Sequence, residues 1–190
     1  MIPEVATSQT GDLVRIDFGC GQNCTVGQDG KKYIGVDIVA LPGVDVVHDL
    51  TVFPYPFEDN SVDEIVSNHF VEHLTGDDFI KHFDECYRIL KLGGKMQVCH
   101  PYCFSARAFQ DPTHKTFIPA ERYMYFDKNW RQGNKLDHYP IKSDFEYAVF
   151  VTYHEDKGEN WKNRTQEYRN FSMAHNVNVV ADMIVHLKKR

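Results

Sequence analysis

Between residues 13 and 100 the chain alternates short β-branched runs with polar connections, and this rhythm restricts the fold more than any other feature. Leu13 to Asp17 (LVRID), Tyr33 to Asp37 (YIGVD), Val44 to His48 (VDVVH), Val62 to Ser67 (VDEIVS) and Lys95 to His100 (KMQVCH) each read as a strand bounded by turn-forming residues. Thr75 to Lys91 is the clearest helix. Thr75 is placed to cap the Asp78 amide, and Asp77 and Asp78 suit the positive end of a helix. Phe79, Ile80, Phe83, Cys86, Tyr87 and Leu90 recur at helical spacing as a buried stripe. Gly93 and Gly94 are expected to stop the helix. Strands and connections in this order predict an α/β fold with a doubly wound, mostly parallel sheet.

The second half has a different pattern. Phe145 to Tyr153 (FEYAVFVTY) and Val179 to Leu187 (VVADMIVHL) predict two long strands, with a helix from about Glu167 to Ala174 between them. They are expected to close the sheet as an antiparallel C-terminal edge pair. No repeat or low-complexity linker marks a boundary, so the 190 residues read as one domain.

Composition narrows the function classes. The net charge of −6 works against a phosphate polyanion as partner, so nucleic acid is not expected. No apolar run approaches the roughly 18 to 20 residues that span a bilayer. The opening MIPEVATSQTGD has neither a basic nor an apolar region of an export signal. Five cysteines without a disulfide rhythm favour reduced thiols in the cytoplasm. Cys20/Cys24 and Cys99/Cys103 are spaced C-x3-C, but Cys20 lies in a glycine loop, and no metal is expected.

The first strand runs into Asp17-Phe18-Gly19-Cys20-Gly21, where Gly19 and Gly21 allow a sharp turn and close approach to a ligand. Asp37, ending the second strand, is placed to accept both hydroxyls of a ribose. Asp49, just beyond the third, is placed to take an adenine amino proton, and Leu50 to pack on the ring. The lesser alternative is that both aspartates merely end strands as turn formers.

The ordered series DFGCG, GVDI (35–38), HDL (48–50), SNHFVEHL (67–74) and RILKLGGKM (88–96) resembles the class I S-adenosylmethionine-dependent methyltransferases, in particular the small methyltransferase type 11-like members. The resemblance covers about residues 13 to 100, and it implies a Rossmann-like fold with 13–100 as the cofactor half and 101–190 as the substrate-side, sheet-closing half. By this resemblance Gly19, Cys20 and Gly21 cradle the methionine part of S-adenosylmethionine. Asp37 holds the ribose, with Ile38 beside it among the cofactor-binding residues, and Asp49 with Leu50 reads the adenine. Asn68 and His69 face the methionine and sulfonium, and Asp17 braces the loop. Two departures stand out. Asn23 replaces a third glycine, and only eleven residues separate Gly21 from Tyr33, which predicts a reduced first crossover helix.

On the acceptor side, Tyr102 to Trp130 is rich in aromatics and contains Asp111-Pro112-Thr113-His114-Lys115, a string that also occurs in the methyltransferases the chain resembles. Asp111, His114 and His69 are the candidate catalytic residues, orienting an acceptor or removing its proton. The alternative is that the aromatics cover the sheet and Asp111 only starts a turn. Glu72 and His73 read at least as well as the capped or solvated start of a helix. A metal gathered by Asp111, His114 and His100 or His138 lacks an evident carboxylate pattern. Position 68 opens Asn-His-Phe rather than the D/N-P-P-Y/F string of enzymes that methylate exocyclic base amines, and no Pro-Cys nucleophile pair occurs. Cys24 stands where a dehydrogenase loop needs its last glycine. The expected function is methyl transfer to an O or N nucleophile, of a small molecule more than of a protein or sugar. The alternative is a non-catalytic S-adenosylmethionine-binding accessory protein.

Overall fold

A computed structural model describes residues 13–154 and 161–190. The opening dodecapeptide, read above for an export signal, lies outside the described residues. The sheet has seven strands: β1 (Arg15–Phe18), β2 (Ile34–Asp37), β3 (Val46–Val47), β4 (Val62–Asn68), β5 (Leu90–Pro101), β6 (Phe145–Tyr153) and β7 (Val180–Lys189). They lie in the order β3-β2-β1-β4-β5-β7-β6. The first five are mutually parallel, and β7 runs antiparallel between β5 and β6. The expected antiparallel closing pair is therefore present, with the last strand inserted inside the edge.

The reduced first crossover is also present, and the reduction goes further than the sequence suggested. Among the described residues, none of the connections 19–33, 38–45 and 48–61 contains a helix. The first folds as a loop held by a single bridge, Val26 to Lys32. Of the crossovers between parallel strands, the one that builds a helix is the link from β4 to β5, α1 (Gly76–Ile89). Thr75 caps it by accepting the Asp78 N–H at 3.3 Å.

Register explains the core. Ile16 pairs with Ile65, Ile65 with Met96, and Met96 with Leu187, so four strands direct apolar side chains to one face. There they meet Phe79, His82, Phe83, Cys86 and Ile89 of α1, together with Tyr123 and Phe126 from the 3₁₀ segment Ala120–Phe126. His82 replaces Ile80 and Tyr87 of the expected stripe, both of which are only half-buried. On the other face the alternate residues Lys95, Glu146, Ala148, His186 and Lys188 are exposed. Among the described residues, the second half of the sheet thus packs its apolar side chains on one face.

Gly93 and Gly94 do not end the helix. α1 stops at Ile89 because Leu90 is already extended and paired with Val62. The glycines sit in a bulge of β5 between the Val62–Leu90 and Glu64–Lys95 pairs, with Gly93 at φ 76°. The helix between β6 and β7 is α2 (Gln166–His175), two residues longer than the eight predicted.

Candidate active site

The loop after β1 is built on a buried carboxylate. Asp17 is 2% exposed, its Oδ2 accepts the Thr25 N–H at 2.8 Å, and burial raises its pKa. It braces the loop from beneath. Gly19 has φ 71°, and a Cβ there would lie 2.7 Å from the Cβ of Phe70. Gly21 has φ 53°, and a Cβ there would meet nothing within 4 Å. The first glycine is thus needed for packing against the turn after β4, whereas the second faces open space. Cys20 turns inward, with its thiol beside Gly35, and burial pushes the thiol up to about 12. Its contribution to a ligand is therefore backbone, not thiolate. Asn23 does not take a left-handed conformation: its N–H closes a turn onto the Cys20 carbonyl at 3.3 Å.

At the end of β2, Asp37 Oδ2 accepts the Gly21 N–H at 2.9 Å and Oδ1 the Val39 N–H at 3.1 Å. A carboxylate has about four lone-pair sites, so lone pairs remain for a diol. Ile38 beside it is 61% exposed, an apolar surface next to the glycine loop. Asp49 is partly occupied as a turn former. Its Oδ1 accepts both the N–H and the hydroxyl of Thr51, at 2.9 and 2.8 Å, and these bonds lower its pKa. Leu50 is 4% exposed and packs in the core, where its carbonyl accepts the Tyr55 hydroxyl. Its side chain is committed to the core; the surface it can turn to a ring is small.

Asn68, the last residue of β4, is exposed, and His69 after it adopts φ 53°, a left-handed conformation uncommon for a side-chain-bearing residue. The His69 N–H is held by the Cys99 carbonyl at 2.8 Å. Its Nδ1 lies 3.5 Å from Glu72 Oε1. The Cys99 side chain and then Glu72 raise the His69 pKa to about 10. Glu72 itself is 2% exposed, not the solvated helix start allowed by the sequence.

The acceptor-side string lies against the same turn. The Lys115 and Thr116 N–H groups donate to the Glu72 carbonyl, at 2.9 and 3.1 Å. His114 Nε2 is 3.9 Å from Glu72 Oε1, and the His73 and His114 rings meet edge-on at 4.9 Å. Asp111 is spent on its own turn: Oδ1 accepts the Thr113 hydroxyl at 2.7 Å and N–H at 2.8 Å, and this holds its pKa down. The grouping that sequence reasoning missed is Glu72 with His73 and His114. An ionisable pair inside the apolar frame Phe70-Val71-Glu72-His73-Leu74 was its one visible signal. His100 does not join it; the ring is fully buried and stacks on Tyr123 at 5.9 Å. His138 lies beside Tyr139. The aromatics of 102–130 divide between roles. Tyr123 and Phe126 belong to the core, whereas Phe104, Phe109 and Phe117 are exposed, the last two stacked at 4.4 Å.

A parallel sheet whose first three strand ends present a glycine loop, a ribose-sized carboxylate and a second acidic turn defines an adenosyl-cofactor protein. Residues 16–98 match the family model described as a methyltransferase domain. A search of curated proteins finds no match. Solved structures do match. An S-adenosylmethionine-dependent methyltransferase from Archaeoglobus fulgidus aligns at a TM-score of 0.61 and 20% identity, over 93% of this chain and 86% of that one. One from Mesorhizobium loti aligns at 0.55 and 13%, over 96% and 93%. A chain of the complex between the Haloferax volcanii Trm112 methyltransferase activator and a methyltransferase aligns at 0.57 and 16%, over 95% and 84%. Family model and fold agree: residues 16–98 match a methyltransferase domain, and the chain shares the fold of S-adenosylmethionine-dependent methyltransferases. S-adenosylmethionine is the cofactor of that family, and the cradle here fits it. Gly21 leaves open space where a side chain would stand, and Asp37 and exposed Ile38 flank it.

Proposed function

We propose that the chain moves the methyl group of S-adenosylmethionine to an oxygen or nitrogen nucleophile of a small molecule. One observation carries this reading: the turn 69–72 touches both halves of the reaction. Phe70 packs on the cofactor loop at Gly19, and Glu72 lies against the Asp111–Lys115 loop. An acceptor seated on that loop would lie next to the donor. Bound S-adenosylmethionine supplies a methyl carbon already activated by positive sulfur, so the protein has mainly to align the nucleophile and exclude water.

Within this reading Asp17, Gly19, Cys20, Gly21, Asp37, Ile38, Asp49, Leu50 and Asn68 line the donor side. His69 faces the junction, held by its N–H on the Cys99 carbonyl and its ring beside Glu72, and is placed to orient an acceptor. His114 is the candidate proton acceptor: its Nδ1–H donates to the Ala108 carbonyl at 2.8 Å, which leaves Nε2 with a lone pair. Asp111 acts through the loop it shapes. The chain acts as one methyltransferase domain, in the cytoplasm. A small molecule suits it better than a protein, a sugar or, at net charge −6, a nucleic acid. Among the described residues no helix is long and apolar enough to cross a membrane.

Calorimetry with S-adenosylmethionine and S-adenosylhomocysteine tests the donor side. The wild type should bind both. Asp37→Ala should bind roughly tenfold or more weakly, since hydrogen bonds to a charged group contribute about 1.5–3 kcal/mol each. Equal affinity in the two proteins would remove Asp37 from the site. Formation of S-adenosylhomocysteine with an acceptor panel then separates an enzyme from a cofactor-binding accessory protein.

A further inference from the structure

We propose that Glu72, His73 and His114 form a binding site for a divalent transition-metal cation of the zinc type. Each residue offers one ligand atom, and the three atoms lie within 4.8 Å of one another. Bonds of about 2.0–2.2 Å to imidazole nitrogen and carboxylate oxygen place donors roughly 3–3.6 Å apart in a tetrahedral or octahedral set. A closure of roughly 1–2 Å therefore suffices.

Both imidazoles are already set in the tautomer a metal requires. A carbonyl oxygen can only accept, so His114 Nδ1 carries the proton in its 2.8 Å bond to Ala108. Thr113 donates its one hydroxyl proton to Asp111, and its Oγ1 must accept from His73 Nδ1–H at 3.0 Å. Each ring is thus left with a lone pair on Nε2. Carbonyl, hydroxyl and carboxylate groups behind the ring orient metal-bound histidines in this way. Asp111, which the sequence offered as a catalytic group, becomes the far end of such a relay.

The carboxylate supplies an independent observation. Both Glu72 side-chain oxygens are buried with no hydrogen-bond partner among the described residues. A buried carboxylate is costly unless paired or bound to a metal. Here it lies within 4.8 Å of a nitrogen of each of two imidazoles, a set of donors that a cation completes. Two imidazoles and one carboxylate suit zinc, iron, cobalt or manganese rather than the all-oxygen preference of calcium and magnesium. The backbone bonds from Lys115 and Thr116 to Glu72 hold the two ligand-bearing segments together before any ion arrives. The competing arrangement is a protonated His69, 3.5 Å from Glu72, that neutralises the carboxylate alone.

Cobalt(II) added to the tag-free full chain distinguishes the two. We expect one equivalent to bind, with visible d–d absorption and without the intense thiolate charge-transfer band that binding at Cys20 and Cys24 would give. Zinc should displace it. His73→Ala and His114→Ala should each abolish the signal. Thr113→Val, an exposed change that removes the hydroxyl oriented on His73, should weaken affinity roughly 10- to 100-fold while the circular dichroism spectrum is unchanged. No cobalt spectrum with the wild type, or one unaltered by either histidine variant, overturns the site. A bound ion would occupy the His114 Nε2 lone pair offered above as proton acceptor; cofactor binding is read separately by calorimetry, so loss of this site leaves the donor side of the methyltransferase reading intact and returns that lone pair to the acceptor.

Discussion

Gly19 and Gly21 share a left-handed backbone but differ in what a side chain would meet. Any L-residue at these φ values costs about 1–2 kcal/mol. Gly19→Ala adds a Cβ 2.7 Å from Phe70, so urea unfolding should show a loss above that range. Gly21→Ala adds a methyl to open space and should lose only about 1 kcal/mol. Its calorimetric affinity for S-adenosylmethionine should nonetheless fall, because the methyl enters the cradle. Wild-type affinity in Gly21→Ala would show that the cofactor does not approach there. At this scale the sequence showed which residue types could serve the cofactor. It did not show which of their atoms were already engaged: Asp49 and Asp111 each give an oxygen to a threonine two residues on. Local side-chain bonds of that kind depend on the turn conformation, which periodicity does not encode.

At the level of elements, α1 was legible in its cap and its apolar spacing, yet its most buried polar residue was not. His82 is fully buried against Phe18, Phe70 and Tyr55, and burial lowers its pKa to about 3. The Tyr55 hydroxyl donates to the Leu50 carbonyl, so it accepts His82 Nδ1–H at 2.8 Å. The ring is therefore neutral in the folded chain, whereas an unfolded histidine protonates near 6.5. Below that pH the unfolded state binds the additional proton, and stability falls as pH drops toward 3. This group alone should contribute a slope approaching about 1.4 kcal/mol per pH unit in that window. Urea midpoints at pH 7 and 4.5 should draw closer in His82→Gln than in the wild type; an unchanged pH dependence would place the acid sensitivity elsewhere. A histidine in an apolar stripe is ambiguous in sequence because it serves equally as a solvated residue or, with both nitrogens partnered, as core.

At the scale of the whole molecule, the described residues build a seven-stranded sheet with unequal faces. Met183 and Leu187 of β7 are buried under α1 and the 120–126 segment, whereas their neighbour His186 is exposed on the opposite face. Met183→Ala and Leu187→Ala should each cost about 2–5 kcal/mol in chemical unfolding. His186→Ala and Glu146→Gln should stay within about 0.5 kcal/mol. Comparable losses on both faces would mean that a further layer covers the second. The strand alternation, the antiparallel closing pair and the short first crossover all followed from the sequence alone. They rest on local periodicity, turn chemistry and motifs read over a few consecutive residues. Two features were decided only by the tertiary structure. One is the order of the closing edge, since β7 lies between β5 and β6 and strand pairing is a long-range choice of register. The other is the meeting of Glu72 and His73 with His114, which requires the β4 turn and the acceptor loop to be brought together by backbone bonds that no stretch of sequence contains.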